Sequence, residues 1–452
     1  MKVAVIGAGW AGMAAAVAAT QRGHQVTVFE ASRSLGGRAR ALEATLPDGT
    51  TTLLDNGQHI LIGAYTDTLR LMREVGVDLE AALLRLPLSL RFPDGSGLQF
   101  PLLPAPLPAS LDALIGILRA RGWTWRDKLA LLQMAGQWQR SGFVCDAALT
   151  VAELCAPLTP RVLNELIEPL CVSALNTPAH QASGQVFLRV MKDALFGVRG
   201  GSQLLLPRTD LSGLFPAPAA RWLAQRGGRV RLGHRVTDLR SQGSQWVVDE
   251  DVFDAVVLAV SSSNAALAIA ECAQAAPESI ATQTGTWANI TQRLHFEAIT
   301  TVYTWAPHAA LAAPLLALRS DDQNPSQFVF DRGQLGGPAG LLAWVVSAST
   351  GERDSLQAQV LQQARSQLGL ELQAVQTVVE KRATFACTPG LQRPPMLIAP
   401  GLLVCGDYVA GPYPATLEGA VRSGLAAVSH LASSTAPPPP STTPSPTPQD
   451  IA

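Results

Sequence analysis

The sequence predicts an α/β protein built around a Rossmann-type parallel sheet. Residues 2–6 (KVAVI) form a short β-branched run that ends at a glycine turn, which is typical of a strand buried on both faces. Alanine-rich residues 11–21 suit a helix, and Gln25 to Phe29 suit a second strand. A chain of 452 residues with 47% hydrophobic content buries a large core and predicts two domains.

The glycine turn predicts a dinucleotide site. Gly7, Gly9 and Gly12 fit the spacing G-x-G-x-x-G, in which the glycines allow a tight turn, close approach of a pyrophosphate and close packing of helix on strand. The helix N-terminus then holds the phosphates. Glu30 ends the second strand, where an acid bonds an unphosphorylated ribose. The predicted contact residues of the turn are Gly7, Ala8, Gly9, Trp10, Ala11 and Gly12.

The segment LGGRAR, residues 35–40, indicates which dinucleotide is bound. Its glycines, Gly37 among them, allow close backbone approach, and either Arg38 or Arg40 offers a planar fork for a diphosphate. In this the chain resembles the flavin amine oxidase and phytoene desaturase superfamily. The resemblance implies FAD as cofactor and a flavin amine oxidase-like fold, in which an α+β substrate domain is inserted into a discontinuous Rossmann-type FAD-binding domain.

The C-terminal stretch 401–428 carries a second mark of that superfamily. A strand from Leu402 to Cys405 is followed by a turn at Gly406 and Asp407 and by a helix that begins near Thr416 and Leu417. The resemblance implies that Asp407 bonds the ribityl or diphosphate region. It also implies that the helix N-terminus faces the flavin pyrimidine ring, where a positive helix end stabilises an anionic reduced flavin.

Two central segments, 227–240 and 253–261, match the superfamily strands that contact the adenine, near Val236, and that return beneath the FAD. The predicted domains follow from these matches. They are an FAD-binding domain (1–77, 185–265 and 384–432), a substrate domain (78–184 and 266–383) and a disordered Pro-rich tail (433–452).

The decapeptide LDNGQHILIG, residues 54–63, predicts a loop beside the flavin. Gly57 permits close backbone approach, while Gln58 and His59 offer hydrogen bonds to the ring or the substrate. His59 is either a proton donor or a histidine that orients the loop. No metal site is predicted, because one histidine does not supply several convergent ligands and the six cysteines form no C-x-x-C pair.

At the level of one family, the chain resembles the hydroxysqualene dehydroxylases. Stretches that carry the resemblance include 163–196, 200–223, 381–394 and 412–424. It implies that reduced FAD and hydroxysqualene give squalene and water, in squalene and hopanoid synthesis, with an external reductant for the flavin. Tyr408 and Tyr413 join His59 as candidates for the acid. A carotenoid-type desaturase, an amine oxidase and a non-catalytic prenyl-lipid escort stay open as alternatives.

Charge and hydropathy constrain partners and location. The 34 basic and 35 acidic residues nearly cancel, so no nucleic acid partner is expected. No secretory signal and no apolar run of about 18 residues is found, which predicts a cytoplasmic protein with its cysteines reduced. The leucine-rich segment from Leu79 to Trp125 is either a buried core segment or a peripheral contact with the inner face of the cytoplasmic membrane.

Overall fold

The computed structural model describes residues 1–101, 109–274 and 278–434. The strands are β1 (Lys2–Ile6), β2 (Gln25–Glu30), β3 (Ala41–Thr45), β4 (Thr51–Asp55), β5 (Leu61–Ile62), β6 (Leu83–Leu86), β7 (Ser89–Arg91), β8 (Gly97–Gln99), β9 (Leu204–Pro207), β10 (Arg229–Leu232), β11 (Leu239–Gln242), β12 (Gln245–Val248), β13 (Asp251–Phe253), β14 (Ala255–Leu258), β15 (Phe296–Trp305), β16 (Leu315–Ala317), β17 (Phe328–Asp331), β18 (Leu341–Val346), β19 (Gln373–Phe385), β20 (Leu397–Ala399) and β21 (Leu402–Val404).

The helices are α1 (Trp10–Gln21), α2 (Thr66–Glu74), α3 (Leu79–Ala82), α4 (Ala109–Arg119), α5 (Trp125–Arg140), α6 (Val151–Leu154), α7 (Pro160–Val162), α8 (Glu168–Leu175), α9 (Gly184–Lys192), α10 (Leu211–Leu214), α11 (Pro216–Gln225), α12 (Ser262–Gln274), α13 (Glu278–Gln292), α14 (Arg353–Leu368) and α15 (Leu417–Ser434). Two π-helical turns, Leu163–Ile167 and Asp193–Gly197, precede α8 and follow α9.

A six-stranded sheet, in the order β10-β2-β1-β14-β21-β20, carries the N-terminal glycine turn. Its strands pair in parallel except for β20, which runs antiparallel to β21 at the edge. The central strands are almost wholly apolar because both faces of the sheet are covered. The sheet joins strands from residues 2–30, 229–258 and 397–404, which are far apart in the chain.

The predicted division into domains stays a prediction, although these three groups of strands fall within the ranges predicted for the FAD-binding domain. Element ends differ slightly from the expectation. Helix α1 begins at Trp10 rather than at residue 11, and β21 ends at Val404. Helix α15 extends to Ser434, the second residue of the range predicted as a tail, and residues 435–452 of that range lie outside the described residues.

A second, antiparallel sheet has the order β16-β17-β18-β15-β19 and presents one apolar face to the main core. Helix α14 packs on the other face around Val360 and Trp344. A tyrosine connects this sheet to the first segment of the chain: the Tyr303 hydroxyl donates to the Asp55 backbone carbonyl at 2.9 Å. The residues that follow Asp55 are therefore fixed between the two sheets.

Helices α1 and α15 pack against each other so closely that a glycine is needed at their contact. A Cβ atom at Gly424 would lie 2.4 Å from the Ala11 carbonyl oxygen and 3.0 Å from the Ala15 nitrogen. Both contact residues on α1 are alanines in a run of small side chains, which permits this approach. The contact fixes the relative position of the two helix N-termini.

Candidate active site

A cavity of about 990 Å³ lies between the carboxyl edge of the six-stranded sheet and the apolar face of the second sheet. Its wall includes the turn after β1, the loop after β4 and the segment between β21 and α15. The site is therefore built from the first and last parts of the described chain, together with segments between them. Open α/β sheets bind ligands at this edge.

The N-terminal turn forms an open cradle at the end of α1. Gly7 has a φ of 113°, and a Cβ atom at Gly12 would lie 2.0 Å from the Gly7 carbonyl oxygen, so strand and helix are in contact there. Gly9 precedes α1, whose N-terminus has no side-chain cap and no acidic residue in its first turn. The exposed amides and the helix dipole at this end suit an anionic diphosphate.

Glu30 lies at the cavity wall at the end of β2, where backbone amides hold its carboxylate in place. Oε2 accepts from the Ala8 amide and Oε1 from the Ser32 amide, both at 2.8 Å. A carboxylate offers about four acceptor positions. Two positions are therefore left for ribose hydroxyl groups.

The two arginines of the LGGRAR segment have different roles. Arg38 lines the cavity, and its Nη2 lies 2.5 Å from the Asp407 Oδ1, which joins positions 369 residues apart. Arg40 instead donates from Nη1 to the Gly37 carbonyl at 2.7 Å. Arg38 is thus the arginine at the cavity wall, where it also donates to the carbonyls of Arg382 and Ala383. Its ion pair with Asp407 connects the N-terminal and C-terminal motifs.

Helix α15 begins at Leu417, and the Thr416 hydroxyl accepts from the Gly419 amide at 3.0 Å. Thr416 and Leu417 line the cavity, as do Gly406 and Asp407. The acid in the first turn, Glu418, is turned away, because its carboxylate accepts from the amides of Asp67 and Thr68. The N-terminus of α15 therefore keeps its positive character toward the cavity.

The loop after β4 places the sequence-predicted Gly57, Gln58 and His59 at the wall of the cavity. Nδ1 of His59 lies 2.8 Å from the Gly57 carbonyl oxygen. A carbonyl only accepts, so Nδ1 carries the proton, and burial lowers the pKa of His59 and keeps the ring neutral. Nε2 is then an acceptor. This geometry favours His59 as the residue that orients the loop rather than as a proton donor.

Val236 also lines the cavity, near Glu30, but it does not lie on a strand as expected. Strand β10 ends at Leu232, and Val236 lies in the extended segment that leads to β11. The segment leaves the sheet because Gly233 adopts a φ of 67° and the His234 amide donates to the Glu30 carbonyl. The edge of the sheet thus ends beside Glu30.

The two candidate tyrosines differ in what their hydroxyl groups contact. The Tyr408 hydroxyl donates to the Val260 carbonyl at 3.2 Å, and the ring is buried, which suits packing. Tyr413 lines the cavity and is half-buried. Burial, partly offset by Arg422, raises its pKa, so the phenol holds its proton at neutral pH. The Tyr413 hydroxyl group also interacts with the side chains of Asp193 and Arg189, so it lies among charged groups at the cavity wall.

Arg393 organises the C-terminal loop, and the sequence motifs assigned it no role. Its guanidinium group donates to five backbone carbonyls of one loop, those of Asp407, Tyr408, Val409, Gly411 and Tyr413. It also stacks over Phe385, with 4.6 Å between the guanidinium carbon and the ring centroid. The only sequence signal was its place within the family stretch 381–394.

Asp55 is buried at the start of the loop after β4, with one carboxylate oxygen unpaired. Its Oδ1 accepts from the Leu211 amide at 2.8 Å, whereas Oδ2 has no hydrogen bond and lies 4.0 Å from the Arg332 Nη2. Burial raises the pKa of Asp55 to about 6, although Arg332 opposes the shift. The folded protein therefore binds a proton here more tightly than the unfolded chain does.

Asp55→Asn is expected to remove a loss of stability that occurs as the pH rises. A raised carboxyl pKa makes the folded state most favoured when the group is protonated, and this contribution is lost between pH 3.8 and about 6. The unfolding free energy of the variant minus that of the wild type should therefore increase by about 2 kcal/mol from about pH 4.5 to pH 7. Urea unfolding at both pH values measures this gain, and an equal difference at both would contradict the shift.

The cavity becomes apolar where it leaves the cofactor cradle. Helices α8 and α9, the turn Asp193–Gly197 and the second sheet supply this part of the wall. Its apolar side chains are Leu170, Val172, Val190, Met191, Leu195, Ile299, Phe328, Phe330 and Val345. The acids Asp193 and Glu380 also reach the wall. Within the described residues, no group of three or more His, Cys, Asp or Glu side chains is arranged to hold a metal ion.

Comparison with known proteins identifies similar chains. The family model for flavin containing amine oxidoreductases matches residues 10–432. A hydroxysqualene dehydroxylase of Sinorhizobium fredii (strain NBRC 101917 / NGR234) is 27% identical over 93% of this chain and 96% of its own length. That of Zymomonas mobilis subsp. mobilis (strain ATCC 31821 / ZM4 / CP4) is also 27% identical, over 94% and 97%. An oxidoreductase structure from Methanosarcina mazei superposes with a TM-score of 0.69 at 17% identity, over 95% of this chain and 100% of the other.

Proposed function

The chain belongs to the flavin containing amine oxidoreductase family and is an FAD-dependent oxidoreductase, and on this premise we propose that it converts hydroxysqualene to squalene. The single observation that carries the proposal is the cavity, in which a cradle for a dinucleotide continues into an apolar channel. Each methylene buried there contributes about 0.8 kcal/mol to the binding of a hydrocarbon chain. The names of the full-length relatives agree with this substrate.

The cradle residues fit FAD in its chemistry. Amides at the start of α1 and the guanidinium group of Arg38 suit the diphosphate, and Glu30 suits the ribose. The N-terminus of α15 suits the flavin ring. When bound in its reduced form, FAD supplies the hydride that replaces the hydroxyl group.

The residues of this chain then have three tasks, which are to orient the allylic alcohol, to supply a proton to the leaving oxygen and to exclude water. The carbon–oxygen bond breaks, the oxygen leaves as water after gaining one proton, and the carbon gains the hydride. We assign proton delivery to Tyr413, whose protonated phenol lines the cavity. The apolar walls keep out water that would otherwise recapture an allylic cation. A reductant from outside the chain restores the two electrons.

The test is an anaerobic reaction between the reduced flavoprotein and hydroxysqualene. Squalene detected by mass spectrometry, together with reoxidation of the flavin, supports the proposal. No product from protein that carries reduced flavin would overturn it. Tyr413→Phe should keep its flavin and lose turnover by about 100-fold if the phenol delivers the proton. Tyr408→Phe is the matched control, because its hydroxyl contacts only the Val260 carbonyl among the described residues.

Each of three other functions makes a different prediction. A carotenoid-type desaturase would reduce its flavin when mixed with a carotenoid precursor, so electrons would flow in the opposite direction. An amine oxidase would reduce its flavin when mixed with an amine, although most side chains at the substrate end are aliphatic or phenylalanine and only Asp193 and Glu380 are acidic there. A lipid escort without redox chemistry would purify without flavin absorbance.

A further inference from the structure

Helix α4 is apolar on the side that faces the protein and also on the side that faces solvent. Its inner face packs on Phe100, since a Cβ atom at Gly116 would lie 2.5 Å from that ring. On its outer face Leu111, Leu114 and Leu118 are 44%, 37% and 40% exposed. These positions share one helix face, because they are separated by three and four residues. Exposure of apolar side chains to water is unfavourable, so we expect a partner to cover this helix face.

The start of α5 extends this apolar face. Trp125 is 67% exposed and Leu129 is 52% exposed. Lys128 connects the two helices, because its Nζ donates to the Leu118 carbonyl at 2.7 Å and lies 5.3 Å from the centre of the Trp125 ring. We call the five side chains of Leu111, Leu114, Leu118, Trp125 and Leu129 the apolar face.

The exposed charged side chains next to the apolar face are basic, whereas the acid of α4, Asp112, is half-buried beside Leu111 with one carboxylate oxygen buried. Arg119, Arg121 and Arg126 are exposed next to the apolar face. The acid within α5, Asp127, is buried in the cap of that helix, where it accepts from Thr124 and Thr159. Leucine and tryptophan surrounded by arginine and lysine match the boundary of an anionic bilayer, where the ring lies among the headgroups and the cations meet lipid phosphate.

The apolar face also lies behind the wall of the cavity. Helix α4 packs against the π-helical turn Asp193–Gly197, and Asp193, Ala194 and Leu195 of this turn line the apolar end of the cavity. A water-insoluble substrate must reach that end without crossing bulk water.

We propose that the apolar face docks this protein on anionic phospholipid bilayers and so brings the substrate end of the cavity to the membrane surface. The substrate part of this proposal rests on the proposed function, whereas the binding to lipid does not.

The binding test uses the purified flavoprotein and vesicles of phosphatidylcholine with or without about 30% phosphatidylglycerol. Sedimentation should show binding to the anionic vesicles that is about tenfold stronger than to neutral ones and that weakens with added salt. The triple variant Leu114→Ser/Leu118→Ser/Trp125→Ser should bind anionic vesicles about tenfold more weakly or worse. The matched control Leu53→Ser/Val252→Ser/Leu397→Ser removes three exposed apolar side chains elsewhere and should bind as the wild type does.

Each outcome is decisive once flavin absorbance shows that the variants are folded. Equal binding by the triple variant and the wild type, or no binding to either vesicle, overturns the proposal. A wild type that self-associates and a triple variant that is monomeric would assign the face to a second copy and also overturn it. With hydroxysqualene, the triple variant should match the wild type in detergent and be slower on vesicles. Failure of all turnover would count against the proposed function alone, because the binding assay needs no substrate.

Discussion

Arg393→Met is expected to yield protein that has lost most of its flavin and much of its stability. Methionine keeps the length of the side chain but leaves the five loop carbonyls without their donor. Each buried carbonyl without a partner costs about 1–3 kcal/mol, and these costs are not additive. The loop that carries Asp407 and Tyr413 should lose its shape, and FAD affinity should fall by about 100-fold. The ratio of flavin to protein absorbance after gel filtration measures this loss.

Two variants show whether the carbonyl contacts of Arg393 are responsible. Arg393→Lys keeps the charge but replaces a planar fork by a single ammonium group, so it should recover only part of the flavin. Arg226→Met removes an exposed arginine that stacks on Trp222 and should leave the flavin unchanged. If Arg393→Met retained flavin as well as Arg226→Met does, the assigned role of Arg393 would be wrong.

Gly424→Ala should destabilise the protein, although alanine is the better helix former. The new methyl group would lie 2.4 Å from the Ala11 carbonyl oxygen, so α1 and α15 must move apart. Forcing an atom into a packed contact costs about 1–3 kcal/mol, which exceeds the gain of up to about 1 kcal/mol in helix propensity. Both helices begin at the cavity, so flavin should also dissociate at a lower temperature. A thermal melt followed by flavin fluorescence records both effects.

Gly285→Ala is the matched control for Gly424→Ala. Gly285 lies within α13 and is exposed, and a Cβ atom there would meet nothing within 4 Å. The substitution then changes only the helix propensity at this position, so it should stabilise the protein by about 0.5–1 kcal/mol. If the melting temperatures of the two variants changed in the same direction, the close contact between α1 and α15 would not be what determines the effect of Gly424→Ala.

The parts of the fold that follow from local sequence were predictable. The glycine turn, the strand that ends at Glu30 and the Gly406–Asp407 turn each depend on residues that are neighbours in the chain. Residue spacing alone is enough to indicate such elements. The assignment of FAD could not be made from residue spacing alone, because it depended on a resemblance to a known superfamily. The family match over residues 10–432 confirms it.

Contacts between distant segments were not predictable in the same way. Arg393 lies in an irregular segment with no periodicity, and its role appears only when the loop from Asp407 to Tyr413 folds around it. The departure of Val236 from the sheet has a similar cause, since Gly233 and the carbonyl of Glu30 redirect the chain. The leucine-rich stretch was left open between core and surface, and α4 shows why, because Leu111, Leu114 and Leu118 are exposed whereas Ile117 of the same helix is buried.

The position of β21 has a consequence for biosynthesis. This strand pairs with β14, and the residues just after it supply the carboxylate that meets Arg38. A chain that stops before Leu402 has neither that strand nor α15, and so has only half of the cradle. A stop codon anywhere before the codon of Leu402 should therefore produce a colourless polypeptide.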